Sequence, residues 1–181
     1  MNFYQRANLS MGLAVFLGFE LALSSVLNGN AAILEGDQLD RVNAMLWIAF
    51  QFLFRIKVTI DDHNVFSHPS PKHDTVRLLD FILFCTAAFL FVVAAIYAFE
   101  FAISGLFFLL GLLVATLWLW LHGEDWKIWT VINAIYATLV VLLIHLWVVS
   151  PWIKTLLLLL LLGFLALDFK LSKTANRMPS I

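Results

Sequence analysis

Apolar residues fill this chain in long blocks, and most charged residues fall in the short breaks between them. A helix needs about 20 predominantly apolar residues to cross the roughly 30 Å hydrocarbon layer of a bilayer. Six stretches reach or approach that length: 8–27, 42–60, 78–98, 102–121, 128–149 and 152–167. The third and fourth are one apolar run, too long for a single crossing, and Phe99-Glu100-Phe101 offers the turn of a tight hairpin. Pro151 stands where a first helical turn tolerates proline, just ahead of the leucine run of the sixth stretch. The pattern predicts an all-α integral membrane protein, a single polytopic bundle of about six transmembrane helices.

Composition agrees with the pattern. Of 181 residues, 62% are hydrophobic and 13% charged, against about 45–50% apolar and about 25% charged in a soluble domain. The mean hydropathy is +0.93. The excess apolar surface has to face lipid, and a net charge of -1 offers no basic face for nucleic acid. Arg6 followed by an apolar stretch could open a signal peptide, but the stretch is too long for one and carries Glu20, which favours a first helix. The lone Cys85 excludes a disulfide framework and a cysteine zinc motif.

Six crossings place both termini on one side, and lysine and arginine choose the side. With the N-terminus inside, the inner segments hold Arg6, Arg55, Lys57, Lys72, Arg77, Lys127, Lys170, Lys173 and Arg177, and the outer ones keep Arg41 and Lys154. This predicts N-in, C-in topology in a cell membrane, a bacterial inner membrane or its equivalent. Residues 61–77 then form a cytoplasmic loop and 168–181 a basic cytoplasmic tail. Lys170, Lys173 and Arg177 in that tail suit anchoring to anionic lipid. Most tryptophans fall near the ends of spans, where an indole rests well among headgroups.

Ionisable groups at membrane depth mark either function or helix association. Spacing of i, i+4 stacks Gly12, Phe16, Glu20, Ser24 and Asn28 along the first helix, and Asn43, Trp47, Gln51, Arg55 and Thr59 along the second. Antiparallel packing predicts that Glu20 meets Gln51, with Arg55 in reach. Asn133, Tyr136 and, nearer the outer face, His145 add polar positions on the fifth helix. Small residues at i, i+4 (Ala14, Gly18, Ala22; Gly111, Ala115; Thr130, Ala134, Thr138) suit close helix contact. The sixth helix has no such surface and is expected at the periphery, with the first, second and fifth inside.

The loop gathers His63, His68 and His73 with Asp62 and Asp74, ligand types that suit zinc or a related metal, although five-residue spacing is no established motif. An ordinary solvated connector is the plainer reading. P-loop, Rossmann, nucleophile-elbow and zincin patterns do not occur, so neither a cofactor nor an enzymatic activity is expected.

In layout, six crossings with both ends inside, the chain is similar to the bacterial members of the endolysosomal potassium channel family. Where that family carries an arginine and a Phe-Ser-Asp signature on its first helix, this chain has Arg6 and then Leu9-Ser10-Met11. The resemblance implies the layout and not the selectivity residues. Two functions follow as expectations. One is a small oligomeric channel or transporter for an ion or small solute, lined by helices 1, 2 and 5. The other is a non-catalytic membrane subunit that docks a soluble cytoplasmic partner through its His/Asp-rich loop.

Overall fold

A computed structural model describes residues 3–27, 38–65, 74–122, 126–146 and 150–171 of the chain. All the described elements are helical: α1 (Phe3–Leu27), α2 (Gln38–Val65), α3 (Asp74–Ile96), α4 (Phe101–His122), α5 (Trp126–Leu146) and α6 (Pro151–Leu171). All six are long and apolar enough to cross a membrane. The hairpin falls where the apolar run demanded a break. Glu100 N donates to Tyr97 O across the turn, and Ser104 N donates to Glu100 O in the first turn of α4.

Successive helices run antiparallel, so the start of α1 and the end of α6 share one end of the bundle, here the terminal end; the opposite end is the distal end. Around the bundle the packing order is α1, α2, α6, α5, α4, α3 and back to α1, a closed ring. Leucines such as Leu13, Leu21, Leu106, Leu113 and Leu156 cover its outside. A soluble protein rarely exposes so continuous an apolar surface.

The interior is aromatic toward the distal end. Trp47, Phe50 and Phe54 follow one another at helical spacing along α2 and point inward. Trp47 meets Phe101 edge-on at 4.8 Å and Phe108 at 5.7 Å. Phe54 meets Phe108 at 5.0 Å and Tyr136 at 5.1 Å, and Tyr136 meets Phe164 at 4.7 Å. These are the edge-to-face geometries that a ring quadrupole favours, worth about 0.5–1.5 kcal/mol a pair beyond area burial.

Small residues set the tightness of the wall between α1, α3 and α4. A Cβ on Gly18 would stand 3.1 Å from the carbonyl oxygen of Val92 and 3.2 Å from Ala95 Cβ. A Cβ on Gly111 would stand 2.9 Å from the ring of Phe91. These two small-residue rows do serve packing, whereas Ala134 and Thr138 of the third row face outward.

Two expectations need correction. The sixth helix is a full member of the ring and not a peripheral one. It packs on α2 and α5 and buries Leu157, Leu158, Leu161 and Leu165 together with Lys154 and Asp168. The loop expected to begin at residue 61 begins later, because α2 continues to Val65. Asp61 and Asp62 are therefore helical and buried. An apolar-run count ends a helix at the first cluster of charges, but here Lys57 pairs with Asp61 and Asp168 inside the bundle and the helix continues.

Candidate functional site: a charged cavity at the terminal end

Below the aromatic column, α2 through α6 surround a cavity of about 60 Å³. A space of this size admits a few waters. Phe84, Ala88 and Phe91 of α3 and Leu112, Trp118 and Leu119 of α4 make an apolar wall. Opposite them stand Arg55, Lys57, Asp61 and Asp62 of α2, Asn133 and Tyr136 of α5, and Asp168 of α6. Two cations and three carboxylates thus share one small space.

Spacing along α2 explains how they come together. Lys57 and Asp61 are one helical turn apart on the same face, and their side chains meet at 2.9 Å. The terminal ends of α2 and α6 are neighbours in the ring, so Asp168 reaches Lys57 from the other side, also at 2.9 Å. Tyr136 donates its hydroxyl to the same Asp168 oxygen at 2.9 Å. The ammonium of Lys57 further rests 4.0 Å from the centre of the Trp129 ring, within the range of a cation–π contact. Lys57 is 1% exposed and Asp168 0%. Charges this deep are tolerated only when they are paired and hydrogen-bonded, and Lys57 meets both conditions.

Arg55 is different. It is 3% exposed and lines the cavity, yet its Nε and Nη2 have no hydrogen-bond partner among the described residues. Asp62 acts on it through its charge. A buried guanidinium offers five N–H donors in a fixed plane, so leaving one edge unmet is costly.

The distal end holds a second polar group, with a structural character. Ser104 Oγ accepts from Trp47 Nε1 and from Gln51 Nε2, both at 3.0 Å, and donates to Ala94 O at 2.7 Å. Asn43 donates to Pro151 O at 3.0 Å and accepts from Thr155 Oγ1 at 2.7 Å, and Lys154 pairs with Asp40 at 2.8 Å. These contacts tie the starts of α2 and α6 together.

The residues singled out from sequence are therefore spread over different places. Arg55, Asp62, Asn133 and Tyr136 do line one cavity. Asn133 also donates to Thr116 Oγ1 at 2.9 Å. Gln51 and Asn43 belong to the distal ties. Glu20 and Ser24 are exposed on the outside, in a shallow groove with Phe16, Leu23 and Phe52, so the expected meeting of Glu20 with Gln51 and Arg55 does not occur. His145 is exposed near the end of α5. Lys170 is exposed at the end of α6, and Lys173 and Arg177 lie outside the described residues.

Of the metal candidates, His68 and His73 also lie outside the described residues, and the side chain of Asp74 is not described. His63 is half-buried at the end of α2, where its backbone carbonyl accepts from Gln5. Asp62 has turned inward. Among the described residues no group of three or more His, Cys, Asp or Glu could hold a metal ion.

Sequence reasoning missed Lys57, Asp61 and Asp168 as site residues, taking the first as a topology marker and the others as loop and rim. The one available signal was the i, i+4 pairing of Lys57 with Asp61. Together the fold and the site suggest a multi-pass membrane protein with charged groups enclosed in its interior. No protein-family model, curated protein or solved structure matches the chain.

Proposed function

We propose that this protein is a membrane transporter for a small solute or ion, with its binding site in the charged cavity at the terminal end. The carrying observation is the enclosure of Arg55, Lys57, Asp61, Asp62 and Asp168 around one cavity inside a bundle whose outside is apolar. A passive anchor has no use for five buried charges, since apolar residues of similar volume would hold the helices as well or better. Ionisable groups at membrane depth typically mark a solute or proton path.

In this reading the six helices cross a cell membrane with both termini in the cytoplasm, so the cavity opens inward. The Trp47, Phe50, Phe101 and Phe108 rings fill the distal half. That favours a carrier, which exposes its site to one side at a time, over a standing pore. The path lies within one chain and needs no second copy. It is lined by α2 through α6, and α1 packs outside it on α2 and α3. The alternative role as a docking subunit loses support, because two acids assigned to the docking loop, Asp61 and Asp62, face the cavity.

Flux into proteoliposomes tests the proposal. Purified protein reconstituted into sealed vesicles is expected to carry at least one of a panel of small inorganic ions and organic acids faster than empty vesicles. Arg55→Gln and Asp168→Asn, if they melt as folded proteins, should abolish that flux. Rates equal to empty vesicles across the panel would refute transport.

A further inference from the structure

The unmet donors of Arg55 identify the class of solute. Nε–H and one N–H of Nη2 form a single edge of the guanidinium, with two parallel bonds spaced to meet the two oxygens of a carboxylate. On Arg55 both of these atoms are buried and unpartnered among the described residues, and the side chain forms part of the cavity wall. Lys57, the neighbouring cation, is already engaged by Asp61, Asp168 and the Trp129 ring. Arg55 is thus the cation in the cavity still able to receive an anion.

The walls define the remainder of the ligand. Across the cavity from the charged groups are Phe84, Ala88, Phe91, Leu112 and Leu119, which offer apolar contact, beside the indole of Trp118, whose N–H is a neutral donor and no partner for a second carboxylate. The volume, about 60 Å³, suits a body of a few heavy atoms. The geometry points to a binding site for a small monocarboxylate with a short apolar body, its carboxylate paired with Arg55 and its body against α3 and α4. This inference rests on the cavity described above and names the substrate class of the transport reading.

Charge balance gives the site a testable sign. Among the described residues the lining carries three carboxylates against two cations, so an entering anion is opposed by the local field, and Asp62 acts directly on Arg55. Affinity is therefore modest, and removing the Asp62 charge should raise it.

The test is equilibrium binding to the purified protein in a neutral detergent, read by calorimetry and by the shift in melting temperature. Propionate is the probe, choline the cationic control and inorganic phosphate the control for a non-planar oxyanion. Propionate is expected to stabilise the wild-type protein, and choline to leave it unchanged. Arg55→Lys should weaken propionate at least tenfold, because an ammonium lacks the paired edge. Arg55→Gln should abolish binding while the protein still melts cooperatively, and Asp62→Asn should tighten binding several-fold.

The same anion chemistry could come from a lipid headgroup, so native mass spectrometry of the purified protein decides the source. Retained phospholipid that is lost in Arg55→Gln, with no response to propionate, would overturn the small-solute assignment in favour of lipid. Propionate binding that survives Arg55→Gln, or stabilisation by phosphate but not propionate, would also overturn it. Because binding is measured without a membrane, propionate binding without flux would remove the transport reading and leave the site. Flux of a cation without propionate binding would do the reverse.

Discussion

Lys57 Nζ lies 2.9 Å from Asp168 Oδ2 and so joins the terminal ends of α2 and α6, two helices that a second lysine–aspartate pair, Lys154 with Asp40, joins at their distal ends. The two contacts differ in depth. Lys57 and Asp168 are almost fully enclosed, whereas Asp40 is about a third exposed. Screening by solvent makes the outer pair worth little, about 0–1 kcal/mol.

The inner pair should dominate stability when broken on one side. Asp168→Ala leaves Lys57 short of one carboxylate and Tyr136 without its acceptor, at a cost of about 3–5 kcal/mol. Replacing the three charges with apolar residues (Lys57→Met, Asp61→Leu, Asp168→Leu) should recover most of that loss, because no unpaired charge is left behind and only the Tyr136 hydroxyl, without its acceptor, still costs about 1–3 kcal/mol. Thermal unfolding in detergent is the measurement. A triple variant as unstable as Asp168→Ala would show that the group holds the fold and is not a functional expense.

Ser104 supports a second expectation. Its hydroxyl is the shared acceptor for Trp47 and Gln51 and itself donates to Ala94 O. Ser104→Ala orphans two buried donors, each at about 1–3 kcal/mol. Trp47→Phe together with Ser104→Ala leaves only Gln51 orphaned, so the double variant should melt above the sum of its parts. Strict additivity in that cycle would mean the two side chains do not share the bond.

The helices were legible because their hydrophobic blocks are long, and the α3–α4 turn because a doubly long run must fold back. The order of helices around the ring was not. In α6, Leu157, Leu158, Leu161 and Leu165 are buried while Leu156, Leu159, Leu160 and Leu167 are exposed. Both faces are leucine, so no contrast in the sequence marks the inner one. The site was half legible for a related reason. Arg55 stood out as a charge within an apolar run, but Lys57, Asp61 and Asp168 sit where charges usually mark a helix end, and only the convergence of α2 and α6 turns them inward. Glu20 was misplaced by reading depth along a helix as depth within the bundle, and α1 turns that side chain outward.

Close contact at the glycines gives a third test. Gly18→Val would press a branched side chain against the backbone of α3 at Val92, which cannot move aside as a side chain can. Overpacking of this kind costs about 1–3 kcal/mol. Gly163→Ala is the matched control: among the described residues no atom beyond its own stretch of helix lies within 4 Å of its added Cβ, and loss of a mid-helix glycine should stabilise by about 0.5–1 kcal/mol. Opposite shifts in melting temperature are expected; a destabilising Gly163→Ala would indicate a contact that the isolated chain does not make.

Membrane topology can be tested with the chain's own chemistry, because Cys85 is its one cysteine and its replacement gives a cysteine-free background. Cys85 is partly buried within α3, among residues such as Phe84 and Trp118 of an apolar cluster, so Cys85→Ala removes little packing. Single cysteines placed at Asn30, Ser70 and Ser180 then report two connections and the C-terminal tail. With both termini inside, a membrane-impermeant maleimide should modify Asn30→Cys in intact cells, and Ser70→Cys and Ser180→Cys only after permeabilisation. Since six crossings require Ser70 and Ser180 to share a side, labelling of the two on opposite sides would break the six-helix arrangement. Labelling of both from outside would keep the fold but invert it, and the Arg55 cavity would then open away from the cytoplasm. The lysine and arginine bias argues against that inversion, since the positive-inside preference acts on short loops of the kind found here.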